Sequence, residues 1–140
     1  FSIVSIFFFT KNHFIKDLNK EFYTKLELTK KINKEFNSIE RILIPVNLTY
    51  IRMNTGLPIF VDWKHHAFKY DEIINWKKRM DLAKNFYSSN DYKEQKINLR
   101  RIIKTENISH ILIKKENLSN DCKNLINDDI YALINVKQCY

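Results

Sequence analysis

The sequence predicts an α/β domain. We expect a small Rossmann-like, mostly parallel sheet of about four strands, order 2-1-3-4, flanked by helices. Three observations predict it. Four short apolar, β-branched runs alternate with segments of helical period, as parallel sheets with right-handed crossovers require. The 140 residues make one domain by size, long enough to bury a core. Hydrophobic content of 44% with 29% charged residues reads as globular.

The elements follow in order. FSIVSIFFF opens the chain, and seven of its nine residues are large and apolar. Nine residues are too few for a bilayer span, which needs about 20. The stretch reads as the end of a clipped transmembrane helix over residues 1–10, with Lys11 and His13 in its polar flank. Residues 11–38 then form a linking amphipathic helix. Within it, residues 14–36 place Ile15, Leu18, Phe22, Leu26, Ile32 and Phe36 near a 3.6 period. Residues 39–140 are assigned to a soluble α/β domain.

In that domain, 39–45 (IERILIP) is a buried strand. Residues 47–54 are a short helix capped by Asn47 and closed by Gly56. Residues 57–63 (LPIFVDW) carry the strongest strand signal, with Pro58 at the start, where proline is tolerated. Residues 71–87 are a helix started by Asp71, its apolar stripe Ile73, Ile74, Trp76, Met80, Ala83, Phe86 and Tyr87. A second helix covers 91–106, with Tyr92, Leu99, Ile102 and Ile103 inward. Strand 108–114, a short helix 119–126 capped by Ser119, and strand 130–136 complete the order. Asn54, Asn90, Asn107, Asn117 and Asn127 fall at the breaks, where left-handed turn positions are expected.

Composition excludes several function classes. Gly56 is the one glycine. P-loops, dinucleotide fingerprints and nucleophile elbows all need more. No nucleotide cofactor and no metal are expected: C-x-x-C, H-x-x-x-H and H-E-x-x-H spacings are absent. Cys122 and Cys139 read equally well as a disulfide or as two structural thiols. The net charge of +8 would suit nucleic acid or an anionic membrane. However, Ile, Lys and Asn number 20, 19 and 16, against three Ala, which points to A/T-rich codons as the source of the lysines. Acids at helical spacing, such as Glu21 with Lys25, mark solvated faces.

The densest polar stretch runs from Arg52 to His66. Arg52, Asn54, Thr55, Asp62, Lys64, His65 and His66 surround a turn and the carboxyl end of a strand, where open α/β sheets bind ligands. They form the expected ligand- or partner-facing edge. Asp62 with His65 and His66 also offers a proton-transfer set for a small enzyme. The plainer alternative has Asp62 capping a turn and the rest solvated.

Residues 44–80 resemble the soluble C-terminal domain of an uncharacterised family of bacterial multi-pass membrane proteins. Those proteins are loosely similar to polytopic glycosyltransferases that use lipid-linked sugar donors. The resemblance rests on Arg52, Thr55, Gly56, Ile59, Phe60, Val61, Asp62, Trp63, Lys64, Phe68, Trp76 and Arg79. Ala67 stands where the pattern usually has proline. The resemblance implies a non-catalytic extramembrane domain anchored in a bacterial inner membrane and facing outward, whereas Lys11, Lys16 and Lys20 after the span would place it on the cytoplasmic side, and the side stays open. The domain would act as a scaffold or in recognition of a glycan or lipid-linked acceptor, with sugar-transfer chemistry in another part of the protein. The rival readings are a soluble basic domain binding nucleic acid or other polyanions, and the small enzyme above. Nucleic acid is the less favoured partner.

Overall fold

Apolar side chains alternate along each strand, and this alternation divides the core into two layers. A computed structural model describes residues 20–64, 68–89, 91–120 and 122–139. Three strands form its sheet: β1 (Ile42–Leu43), β2 (His110–Lys114) and β3 (Tyr131–Asn135). They lie in the order β1-β2-β3, with β1 parallel and β3 antiparallel to β2.

On one face Leu43, Ile111, Ile113, Ala132 and Ile134 pack under helices α3 (Tyr70–Ser88) and α4 (Tyr92–Thr105). On the other, Ile42, Ile44, Leu112 and Leu133 pack against α1 (residues 20–34) and α2 (Tyr50–Thr55). Burial on both faces explains why β2 reads as an unbroken apolar run. Leu28 and Ile32 place α1 inside this core. Thr29 is tolerated there because its hydroxyl donates to the carbonyls of Leu26 and Lys25. The segment expected to be the end of a transmembrane helix lies outside the described residues. No helix among the described residues is long and apolar enough to cross a membrane.

The expected four-stranded, mostly parallel sheet is corrected in two places. Segment 57–63 runs beside β1 but shares one bridge with it, between Ile59 and Ile42. The Ile42 N–H donates to the Pro58 carbonyl at 3.0 Å, and the Phe60 N–H to the Ile42 carbonyl at 2.9 Å. Pro58 has no N–H to extend the ladder. The second correction is the direction of β3. Among the described residues, 119–120 and 122–126 do not form the expected short helix. Instead Asn124 Oδ1 accepts the N–H groups of Ile126 and Leu133, and Asp128 Oδ1 those of Ile130 and Tyr131. These side chains satisfy a loop backbone that a helix would otherwise have to satisfy, and the chain returns antiparallel.

Other expectations change in detail. Apart from Gly56 at +69°, no described residue has a positive φ, so Asn54, Asn107, Asn117 and Asn127 do not supply left-handed positions, and Asn90 lies outside the described residues. Asn124 and Asn135 act through side-chain oxygens. Helix α2 begins after Thr49, and Asn47 sits in the preceding turn. Lys69, not Asp71, is the N-cap of α3. Asp91, the first residue of the expected second helix, is the N-cap of α4 and accepts from the Lys93 N–H at 3.0 Å. Cys122 and Cys139 pair as a disulfide with Cα atoms 5.0 Å apart, tying the return loop to α5 (Val136–Cys139).

Candidate functional site

Helix α2, segment 57–63 and the first half of α3 converge on a cleft of about 280 Å³. Each wall follows from local sequence. Gly56 ends α2 in the left-handed conformation, and its N–H bonds to the Arg52 carbonyl at 2.9 Å. That turn leaves Arg52 at the cleft and brings Leu57 in beside β1. Segment 59–62 forms the floor. Glu72, Trp76 and Arg79 line the third side, on adjacent turns of α3.

Hydrogen bonds fix this arrangement. The Trp76 indole N–H donates to the Asp62 carbonyl at 3.0 Å, clamping α3 to the end of segment 57–63. The Asp62 side chain is buried, and its Oδ1 accepts the Lys64 N–H at 3.0 Å. Trp63 packs edge-on against Trp76 with centroids 6.1 Å apart, and Lys84 Nζ lies 4.3 Å from the Trp63 ring centre. Behind the cleft, Glu106 ties two cations together. Its Oε1 meets Arg79 at 2.8 Å, while Oε2 pairs with Arg41. Among the described residues Arg52 makes no ion pair.

The cleft thus holds two guanidinium groups, the Glu72 carboxylate and an indole, with the engaged Asp62 carboxylate buried at its floor. Its volume matches about nine waters, enough for one small polar group such as a sugar ring or a phosphate. Arginine forks donate to planar or tetrahedral oxyanions, the Glu72 carboxylate accepts from hydroxyl groups, and the indole offers an apolar wall. No group of three or more His, Cys, Asp or Glu among the described residues could hold a metal.

Of the residues singled out from sequence, Arg52 and Asp62 line this cleft. Asn54 is exposed on α2. Thr55 serves the helix end: its hydroxyl donates to the Ile51 carbonyl at 2.6 Å and accepts the Leu57 N–H at 3.2 Å. Lys64 is exposed, held through its N–H by Asp62. His65 and His66 lie outside the described residues. Glu72, Trp76 and Arg79 were missed as site residues, although the spacings 72/76 and 76/79 put all three on one helical face.

Two other polar features stand apart. A groove of about 480 Å³ runs between α1 and the 128–130 turn, with Lys31 and Asp128 paired across it at 3.3 Å. Burial would raise the Asp128 carboxyl, but the Tyr131 and Ile130 N–H groups and Lys31 outweigh it and hold it below the ordinary range. Nearby, burial pushes the Tyr50 phenol up to about 12, helped by Tyr131 and Asp128. On β2, His110 is 1% exposed. Its Nδ1 lies 3.0 Å from Ser109 Oγ, and its Nε2 has no hydrogen-bond partner among the described residues. Burial pulls its pKa below the usual histidine range, despite the opposing pull of Glu35 and Glu40.

Residues 24–83, from α1 into the middle of α3, match the family model described as a domain of unknown function, DUF6798. This stretch contains every residue that lines the cleft, and of the tie at its back only Glu106 lies outside it. No curated protein and no solved structure matches the chain.

Proposed function

We propose that this chain is a non-catalytic recognition domain, the extramembrane part of a membrane protein, and that its cleft receives a polar acceptor. A glycan, or the sugar-phosphate end of a lipid-linked one, fits the groups present. One observation carries the reading. Arg52, Asp62, Glu72, Trp76 and Arg79 come from three separate segments and line a single cleft. Asp62 is held by the backbone of Lys64 and buried, which suits a structural carboxylate better than a proton-transfer group. The resemblance of residues 44–80 to tails of membrane proteins supports the extramembrane setting.

The test is a titration followed by NMR, using a hexose 1-phosphate and the neutral hexose as probes. The Trp76 indole N–H should shift with the phosphate ester, and Arg52→Ala should weaken that response at least tenfold. An unmoved indole signal with both probes would overturn the reading.

A second reading has its own observation. Helix α4 carries Lys93, Lys96, Arg100, Arg101 and Lys104, and its acid Glu94 accepts from Ser89. A polyanion such as nucleic acid would find these cations along one helix. Binding of duplex DNA with a steep salt dependence, lost when Arg100 and Lys104 become alanine, would favour it over the cleft.

A further inference from the structure

The first turns of α3 carry apolar side chains on the wrong side for a core. Ile73 and Ile74 belong to the stripe expected to face inward, yet they are 40% and 37% exposed. Tyr70 is 77% exposed and Phe68, just before the helix, 91%. Tyr70, Ile73, Ile74 and Lys77 occur at i, i+3, i+4 and i+7 and share one helical face. Trp63, 48% exposed, flanks that face, because its ring lies against Trp76 and under Lys84. Four large apolar residues are therefore exposed at the start of α3, with Trp63 further along the helix, against Trp76 and Lys84.

The charges around them are predominantly basic. Lys64, Lys69, Lys78 and Lys84 are exposed beside the patch. Of the nearby acids, Glu72 lines the cleft, Asp81 is matched by Lys77 at 3.6 Å, and Asp71 stands exposed in the first turn, so the lysines outnumber the acids. Aromatic side chains ringed by lysines have the composition of a surface that sits at the headgroup level of a bilayer. The rings enter the acyl boundary while the ammonium groups stay among phosphates. Exposed apolar patches of this kind on a folded domain mark contact surfaces.

We infer that Phe68, Tyr70, Ile73 and Ile74, with Trp63 and the lysines around them, dock this domain onto the surface of an anionic lipid bilayer. The site is distinct from the cleft: docking uses the outer face of α3, and the cleft uses Glu72, Trp76 and Arg79 on the other. Docking would bring the cleft mouth close to headgroups without occupying it.

The experiment is co-sedimentation of the 140-residue chain with vesicles of phosphatidylcholine alone or in an equimolar mixture with phosphatidylglycerol. Tryptophan emission is read in parallel. The anionic vesicles should pellet the protein and shift the emission to the blue; the neutral ones should do so weakly. Phe68→Ser with Tyr70→Ser should lower the partition coefficient at least ~tenfold, from the apolar area lost. Each lysine removed at Lys64 or Lys69 should lower it by about fivefold. These side chains are exposed, and far-ultraviolet circular dichroism checks that each variant folds. Ile97→Ser with Tyr92→Ser, exposed apolar residues on α4, should leave binding unchanged. Three results would overturn the inference. The first is no binding to anionic vesicles. The second is binding that survives Phe68→Ser/Tyr70→Ser but fails when Arg100 and Lys104 become alanine, as a polyanion-binding α4 would give. The third is a protein dimer that Phe68→Ser disperses, which would assign the patch to a second copy. Arg52→Ala should not affect docking, so failure here and failure of the cleft reading are separately visible.

Discussion

Gly56→Ala tests the turn on which the cleft is built. The glycine sits at φ +69°, and a Cβ added there meets nothing within 4 Å. The substitution therefore changes backbone energy alone. Holding alanine in the left-handed region costs about 1–2 kcal/mol. Replacing glycine also restricts the unfolded chain, which returns about 0.4–1 kcal/mol. The net loss should be about 1 kcal/mol, a fall in Tm of roughly 3–5 °C for a domain of this size. Gly56→Asn should lose about half as much, because asparagine tolerates this region better. Urea denaturation followed by circular dichroism reads both, with the slope m unchanged. Wild-type stability in the alanine variant would refute the claim that the positive φ is needed. A loss above ~3 kcal/mol would refute the claim that the space beside Gly56 is open.

Three further outcomes are expected. The Tyr87 hydroxyl lies 3.0 Å from the Leu43 carbonyl and 2.8 Å from the Leu112 carbonyl, bridging β1 and β2. Tyr87→Phe should cost about 1–2 kcal/mol, seen as a lower urea midpoint. Glu106→Gln should lower stability by about 1–2 kcal/mol yet tighten binding of a sugar phosphate measured by calorimetry, because Arg79 is then no longer neutralised from behind. Burial lowers the His110 pKa from its usual 6.5, so the unfolded chain takes up the proton more readily than the folded one. Stability should therefore fall as pH drops below 6.5, by at most about 1.4 kcal/mol per pH unit for one proton. Urea midpoints across pH 5–7 should show this slope, and His110→Asn should flatten it.

Helices α3 and α4 were legible because their signals are local: a periodic apolar stripe and, for α4, Asp91 at its start. Gly56 was legible for the same reason, since a lone glycine after a helical run has few other uses. The direction of β3 was not. It depends on Asn124 and Asp128 satisfying particular N–H groups, and a single sequence does not distinguish such residues from a helix cap. Segment 57–63 reads as a strand because it is buried, yet Pro58 and the short β1 limit it to one bridge. In the cleft, Arg52 and Asp62 were found because they sit in a dense polar run. Glu72 and Arg79 escaped because they look like ordinary charges on a helix surface. Their partners, segment 59–62 and Glu106, come together only in three dimensions. Ile73 and Ile74 show the converse: their spacing fits a core stripe, yet both side chains are exposed.

The free side of β3 has a consequence for how other chains could attach. At its middle residue, Leu133, the N–H is taken by the Asn124 side chain and the carbonyl by the Leu125 N–H at 2.8 Å. The disulfide from Cys122 to Cys139 ties this covering loop to the end of the chain. An incoming strand would have to displace that loop before it could pair with the sheet. Fibril-like stacking along this edge is closed to the oxidised protein. Reduction would loosen the latch and leave Asn124 as the remaining guard.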